Sequence, residues 1–166
     1  PMPSTHRQIE CLFEGREGNL WVGTTGGGLD RLRPRALQLI GIDEGLPESV
    51  RSVTQDSTGA MWTVTQNGLL AFNQSGTNWS ILNQGTNWPG GTPISVAGDP
   101  AGGIWIGTTA SGLIYYRDGE FKTWHPRDGL AAENIHGIMI EHPGEVWISF
   151  ASHIQRFKDG VFQTFD

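Results

Sequence analysis

The chain has 166 residues, of which 17% are charged, and its formal net charge is −6. An acidic average field does not attract nucleic acid or an anionic membrane surface, so the charge argues against both as partners. A single cysteine, Cys11, excludes an internal disulfide and a cysteine-based metal site, and no apolar run is long enough to cross a bilayer. The 24 glycines, seven tryptophans and seven phenylalanines favour a turn-rich all-β structure over helices or disorder.

The chain divides into a short lead-in and four candidate modules of four strands each. Residues 1–6 are expected to be disordered, and β-propeller repeats are predicted over 7–166, with blades at about 7–42, 49–83, 93–125 and 134–166. The predicted strands are 7–13, 20–25, 28–32 and 36–42; then 50–55, 60–66, 69–73 and 79–82; then 93–97, 104–109, 113–117 and 120–125; and finally 134–141, 145–150, 154–158 and 161–165.

One motif recurs in all four modules. A glycine stands three residues before a tryptophan, and the tryptophans are spaced by 41, 43 and 42 residues. A Gly-Leu pair follows at 28–29, 68–69 and 112–113, and His153-Ile154 replaces it in the last copy. Self-similarity with this period predicts a propeller or a β-solenoid. The repeated structural residues are Gly18 and Trp21, Gly59 and Trp62, Gly102 and Trp105, and Gly144 and Trp147.

The turns predict how the strands pair. Polar or proline residues followed by glycine at 56–59, 99–102 and 142–144 indicate tight turns between the first and second strands. Asp-Gly at 118–119 and 159–160 indicates hairpins between the third and fourth strands. The second strands have apolar residues in succession, which is typical of a strand buried on both faces. Antiparallel meanders covered on both faces fit four propeller blades.

At this point the motifs resemble those of the two-component regulator propeller repeat. The resemblance rests on Trp105-Ile-Gly-Thr with Gly112-Leu113, on Arg127-Asp-Gly-Leu130 leading to Asn134-Ile135, and on Asp43-Glu-Gly-Leu46 leading to Val50. The second copy departs from the pattern, because Trp62-Thr-Val-Thr65 lacks the glycine.

The resemblance implies a role and a setting. Propellers of this kind form the periplasmic or extracellular sensor portion of bacterial two-component receptors, often hybrid histidine kinases, and some respond to carbohydrate. Their rings usually have about seven blades, so four blades imply part of a larger ring. We therefore expect a non-catalytic sensing or interaction propeller without a cofactor, whose ligand is an oligosaccharide or another small molecule.

Candidate binding residues lie where loops enter each blade and join its second and third strands. The loop 83–92 is the longest and the least like its counterparts. Its tryptophan could stack on a sugar ring, or it could pack inward and cover the axis or a blade edge. The candidate residues are Asn83, Asn87, Trp88, Glu48, Arg127, Glu133 and His153.

Other functions have weaker signals. The glycine-rich segment 23–28 lacks the lysine and the helix of a phosphate-binding loop, and the five histidines lack metal-ligand spacing. A lyase similar to the streptogramin-inactivating propellers would need a histidine and acidic residues around a divalent metal, and His136 and Glu133 are the nearest candidates. A protein-docking scaffold is the third hypothesis.

Four blades also predict an assembly partner. The two end sheets of an open array would each expose an apolar face larger than soluble monomers usually tolerate. We expect further blades or a second copy of the chain to cover these faces.

Overall fold

The computed structural model describes residues 9–14, 20–24, 28–32, 50–74, 79–85 and 87–165. The chain forms two compact units, Pro1–Leu39 and Ile40–Asp166. The first unit contains an antiparallel sheet in the order β1-β2-β3. Its strands are β1 (Ile9–Glu14), β2 (Leu20–Thr24) and β3 (Gly28–Leu32). The lead-in, Gly18, Glu48 and the strand predicted at 36–42 lie outside the described residues.

The second unit contains three antiparallel sheets of four strands, each a meander in chain order. They confirm the prediction of an all-β fold built from four-stranded antiparallel blades. The second sheet has β4 (Val50–Gln55), β5 (Met61–Thr65), β6 (Leu70–Asn73) and β7 (Ser80–Ile81). The third has β8 (Pro93–Gly98), β9 (Ile104–Thr108), β10 (Leu113–Arg117) and β11 (Glu120–Trp124). The fourth has β12 (Gly137–His142), β13 (Glu145–Ser149), β14 (Ile154–Lys158) and β15 (Val161–Phe165).

The meander topology gives each sheet two different ends. One end, the hairpin edge, carries the turns that join first to second and third to fourth strands. The opposite end, the rim, carries the loops at 66–69, 109–112 and 150–153 and the linkers 82–92 and 125–136. At the hairpin edge Asp118 and Gly119 have φ of 52° and 88°, as a type I′ turn requires, which confirms the Asp-Gly hairpin predicted there.

Apolar side chains fill the spaces between adjacent sheets. Trp62 and Val64 of the second sheet form one buried cluster with Ile104 and Ile106 of the third. Trp105 of the third sheet forms the next cluster with residues of the fourth that include Val146 and Ile148. Every residue of β9 is buried, which confirms that this strand is covered on both faces.

The first strands of the second and third sheets, β4 and β8, are joined through side chains of β4. We call this edge of each sheet the inner edge. The Ser52 hydroxyl accepts a hydrogen bond from Val96 N–H at 3.1 Å, and the Thr54 hydroxyl accepts one from Gly98 N–H at 2.9 Å. These hydroxyls satisfy backbone donors that β9 does not use. They also hold the two sheets at a fixed spacing at their inner edges.

Two details of the sequence prediction need correction. In the second sheet Leu70, not Leu69, takes the buried position of Leu113, because Val64 pairs with Leu70 as Gly107 pairs with Leu113. The strand predicted from residue 134 begins at Gly137. The reason is that the Ile135 N–H leaves the sheet and donates to Thr108 O of the neighbouring sheet, at 2.9 Å.

Candidate ligand-binding rim

The repeated tryptophans are anchored to carboxylates at the hairpin edge. The indole N–H of Trp62 donates to Asp56 at 2.7 Å, and that of Trp105 donates to Asp99 at 3.0 Å. In the fourth sheet Trp147 donates to Glu141 at 2.8 Å. Each acceptor lies six residues before its tryptophan, and the carboxylates of Asp56 and Asp99 also accept hydrogen bonds from the backbone of their turns. These tryptophans have a structural role.

Hydrogen bonds at this anchor stabilise the ionised form of Asp56. Partial burial acts to raise its pKa, but the Thr58 hydroxyl, the Trp62 indole and the backbone amides of Thr58 and Ala60 outweigh burial and lower the pKa below its usual range. Asp56 is therefore charged at neutral pH. A full negative charge strengthens the hydrogen bond to the indole.

At the rim, the linker 125–136 is held between the third and fourth sheets. It contains a short 3-10 helix, Pro126–Asp128, which ends at Gly129 with φ of 100°. Leu130 and Ile135 are buried in the cluster between the two sheets. Two apolar residues of the motif that resembles the family pattern therefore anchor this linker between the sheets, and its polar side chains lie at the rim.

A buried amide that the sequence analysis missed also positions the linker. Gln155 on β14 accepts a hydrogen bond from Ala131 N–H at 2.8 Å and donates to Gly129 O at 3.1 Å. Its amide nitrogen lies 3.0 Å from the Thr164 hydroxyl as well. Ala131 and Gly129 are 24 and 26 residues away from Gln155 along the chain, so no local sequence pattern indicates this role.

Polar side chains of the linker are partly or largely exposed at the rim. His125 Nδ1 lies 3.1 Å from a carboxylate oxygen of Glu133, and both side chains are partly exposed. The Arg127 side chain is 81% exposed, and its nearest charged partner is Asp128, at 3.9 Å. The linker thus offers a nearly free guanidinium and a paired carboxylate on a backbone that packing makes rigid.

Two of the three candidate residues in the loop 83–92 contribute to packing and loop closure. Trp88 is half-buried, meets Phe121 edge-on at 5.6 Å between ring centroids, and donates its indole N–H to Gly91 O at 3.1 Å. The Asn83 amide bonds the backbone of Gly68 and Leu70, so it closes the loop between β5 and β6. Asn87 is exposed. Trp88 covers the edge between the second and third sheets, which is the packing alternative considered above.

His153 belongs to the loop between β13 and β14. Its ring stacks on Phe150 at 4.9 Å, and Nδ1 lies 3.1 Å from the Ser152 hydroxyl. Its Nε2 is buried and has no hydrogen-bond partner among the residues that the structure describes. Among these residues, no contact joins His153 to Trp88 or Arg127. The predicted site residues therefore form separate groups, of which the linker group is the best organised.

A groove at the hairpin edge is a second candidate surface. It lies between the second and third sheets, encloses about 410 Å³, and is lined by Phe72, Tyr116, Asp56 and Arg117, among others. The corresponding gap between the third and fourth sheets is bridged, because Gly144 N–H donates to the Asp99 carboxylate at 3.2 Å. Two equivalent positions in the repeat thus differ in whether a hydrogen bond closes them.

Across the described ranges, no three or more His, Cys, Asp or Glu side chains are grouped so that they could hold a metal ion. In the same part of the chain, no helix has the length and apolar character needed to cross a bilayer. For the lyase hypothesis, Glu133 is paired with His125, and the His136 side chain has no polar contact with any described residue.

The family comparison bears on the first repeat. The model described as "Two component regulator propeller" matches residues 3–26, a stretch that contains Gly18 and Trp21. Residues 3–26 thus have the sequence pattern of a two-component regulator propeller repeat. This match confirms the resemblance, which was identified from motifs in the other copies. No curated protein sequence matches the chain.

Solved propellers share the fold of the whole chain. The extracellular domain assigned to the hybrid two component system BT3049 of B. thetaiotaomicron is 20% identical, with a TM-score of 0.65 over 96% of this chain. YCF48 from Cyanidioschyzon merolae is 16% identical with a TM-score of 0.55 over 99%, and virginiamycin B lyase from Staphylococcus aureus is 15% identical with a TM-score of 0.55 over 99%. The chain spans 23%, 61% and 57% of these proteins, respectively.

Proposed function

We propose that the chain is a section of a non-catalytic sensor propeller in a two-component receptor, located outside the cytoplasm. Two findings support this proposal. One is the regulator propeller repeat at residues 3–26, and the other is the likeness to an extracellular domain of a hybrid two component system. Because the chain spans only 23% of that domain, the signalling role belongs to a larger protein.

The observation that carries the proposal is the rigid linker at the rim. Buried Leu130 and Ile135 anchor it, and the Gln155 amide fixes its backbone on both sides of Leu130. A preorganised segment loses little entropy when a ligand binds, so its exposed polar groups contribute more of their interaction energy to affinity. Arg127 and the His125–Glu133 pair are such groups.

The ligand class follows from the chemistry of these groups. A guanidinium donates hydrogen bonds in a planar fork, and a carboxylate accepts them from hydroxyl groups. A hydroxylated ligand such as an oligosaccharide satisfies both, and a carboxylate on its sugar adds a charge-assisted bond to Arg127. We propose an oligosaccharide or a similar small polar ligand at this rim.

Replacing Arg127 with alanine is expected to weaken ligand binding about 10-fold or more, because a hydrogen bond to a charged group contributes roughly 1.5–3 kcal/mol. Binding would be measured by calorimetry, after a panel of neutral and acidic oligosaccharides has been screened by the shift in unfolding temperature. Arg127 is largely exposed, so the variant should keep its unfolding midpoint.

Arg117→Ala is the matched control for this experiment. Arg117 is also an exposed arginine, but it lines the groove at the hairpin edge. If the ligand binds the rim, R117A retains the affinity and R127A loses it. The opposite result would place the ligand in the groove and reject the rim as the recognition site.

A further inference from the structure

Three aromatic rings line the groove between the second and third sheets. Trp62 stacks on Phe72 at 4.7 Å between ring centroids and lies 5.7 Å from Tyr116 of the third sheet. Trp62 is buried and the other two rings are half-buried, so the groove offers them as an apolar surface. Its volume of about 410 Å³ lies within the range of roughly 300–1,000 Å³ that is usual for small-molecule sites.

Asp56 contributes an acceptor with unused capacity to the same groove. Its Oδ1 accepts hydrogen bonds from the hydroxyl and the backbone N–H of Thr58 and from Ala60 N–H. Among the described residues, Oδ2 accepts only from the Trp62 indole, at 2.7 Å. A carboxylate oxygen has two lone pairs, so one acceptor position of Oδ2 is open to a donor in the groove.

The equivalent carboxylate between the third and fourth sheets shows what kind of donor completes it. Gly144 N–H donates to both oxygens of Asp99, at 3.2 and 3.3 Å. A hydrogen bound to nitrogen thus fills this position in one joint of the repeat. At Asp56, no residue of the described ranges supplies such a donor from the neighbouring sheet.

Turn length explains why the two joints differ. The turn that carries Gly144 is short, since the strands on either side of it end at residue 142 and begin at residue 145. The corresponding turn of the third sheet spans residues 99–103. Its N–H groups at Ala101 and Gly102 donate to the side chain and the backbone of Asp99. These donors are used within the turn, and Asp56 is left facing the groove.

The third sheet contributes a cation to the opposite wall. Arg117 lies at the end of β10, its side chain is 55% exposed, and its Nε is 3.4 Å from Asp118. The guanidinium carbon and the Ser57 hydroxyl lie 3.6 and 3.7 Å from the point that a Cβ on Gly102 would occupy. Ser57 adjoins Asp56 in the chain, so a guanidinium and a carboxylate flank a gap that a small molecule can span.

We propose that this groove binds a small zwitterion, namely an α-amino acid or a dipeptide with an apolar side chain. Its ammonium group donates to Asp56 Oδ2, its carboxylate accepts hydrogen bonds from Arg117, and its side chain packs on the aromatic rings. The groove is separate from the rim and from the ligand proposed there. Either assignment can therefore fail without the other.

Binding would be measured by NMR titration of the chain with phenylalanine and with the dipeptide Leu-Phe. The indole N–H resonance of Trp62 should shift, because its acceptor oxygen also receives the ammonium group of the ligand. The indole resonance of Trp105 is the internal control and should stay, because Gly144 already donates to the equivalent carboxylate. The tighter of the two ligands shows whether the groove takes a free amino acid or a peptide.

Capped ligands test the two charges separately. N-Acetylphenylalanine lacks the ammonium group and phenylalanine amide lacks the carboxylate, so each should bind about 10-fold more weakly than phenylalanine. Arg117→Ala should weaken the binding of phenylalanine by a similar factor. In this variant phenylalanine and its amide should bind equally, because the group that distinguishes them is gone.

Arg51→Ala is the matched control for Arg117→Ala. Arg51 is an exposed arginine on β4 of the second sheet, and it does not line the groove. This variant should bind phenylalanine like the unaltered chain. Circular dichroism of both variants checks that the β-structure is kept.

Three results would overturn the assignment of this site. The first is a Trp62 resonance that moves no more than that of Trp105 with either ligand, up to the limit of solubility. The second is a capped ligand that binds as tightly as phenylalanine. The third is a folded Arg117→Ala variant that keeps its affinity for phenylalanine.

Discussion

Replacing Asp99 with alanine is expected to lower the free energy of unfolding by about 3 kcal/mol, since several buried donors lose their acceptor. Asp99 is 2% exposed. Its carboxylate accepts hydrogen bonds from Ala101 N–H at 2.9 Å and the Trp105 indole at 3.0 Å within its own sheet. It also accepts one from Gly144 N–H of the fourth sheet, at 3.2 Å. One side chain thus orders a turn, fixes a tryptophan and links two sheets.

Asp56→Ala is the comparison variant. Asp56 accepts hydrogen bonds from the Trp62 indole and from its own turn, and among the described residues it bonds no other sheet. Urea unfolding at neutral pH should show that Asp99→Ala costs more than Asp56→Ala, because Asp99 is buried whereas Asp56 is half-buried, so water replaces fewer of the lost hydrogen bonds. An Asp56→Ala variant that loses as much stability as Asp99→Ala would contradict this expectation.

The second large effect is expected at Gly98, at the end of β8. A Cβ atom placed there would lie 2.2 Å from Gln55 O, 3.0 Å from Gln55 C and 3.3 Å from Asp56 Cα, all of them main-chain atoms of the second sheet. No side-chain rotation can relieve such a contact, so Gly98→Ala must separate the inner edges of two sheets. We expect a loss of about 3 kcal/mol in the free energy of unfolding, at the upper end of the cost of overpacking.

Gly85→Ala is the matched substitution at an open site. The nearest atom to a Cβ there is Leu82 O at 3.5 Å, which is an ordinary contact. The free energy of unfolding of the Gly85→Ala variant should stay within about 0.5 kcal/mol of that of the unaltered chain. If Gly98→Ala were equally neutral, β4 and β8 would not approach as closely as described.

The strands and turns could be predicted because their signals are local. Asp-Gly at 118–119 requires positive φ at two successive residues, and few structures other than a tight hairpin provide it. The apolar residues of 104–106 have no polar alternation, and the structure buries them on both sides. A short repeat with such signals specifies its meander almost completely.

The contacts that shape the rim could not be predicted, because they join distant residues. Gln155 reaches a backbone 24 residues away, and Asp99 reaches one 45 residues away. Trp88 has the sequence context of an exposed ligand platform, yet the position of Phe121 allows it to pack at a sheet edge. Leu70 and not Leu69 is the buried residue because Leu70 lies eight residues after Trp62, as Leu113 does after Trp105, so the Gly-Leu pair at 68–69 is one residue out of register.

The central claim is that the tryptophans of the second and third sheets are buried against the next sheet, as the blades of a propeller require. Hydroxyl-radical footprinting of the dilute chain, read by mass spectrometry and normalised to the unfolded chain, tests it directly. Trp62 and Trp105 are 5% and 4% exposed and should be protected, whereas Trp147 is half-buried and should be labelled. Equal labelling of the three rings would contradict the account.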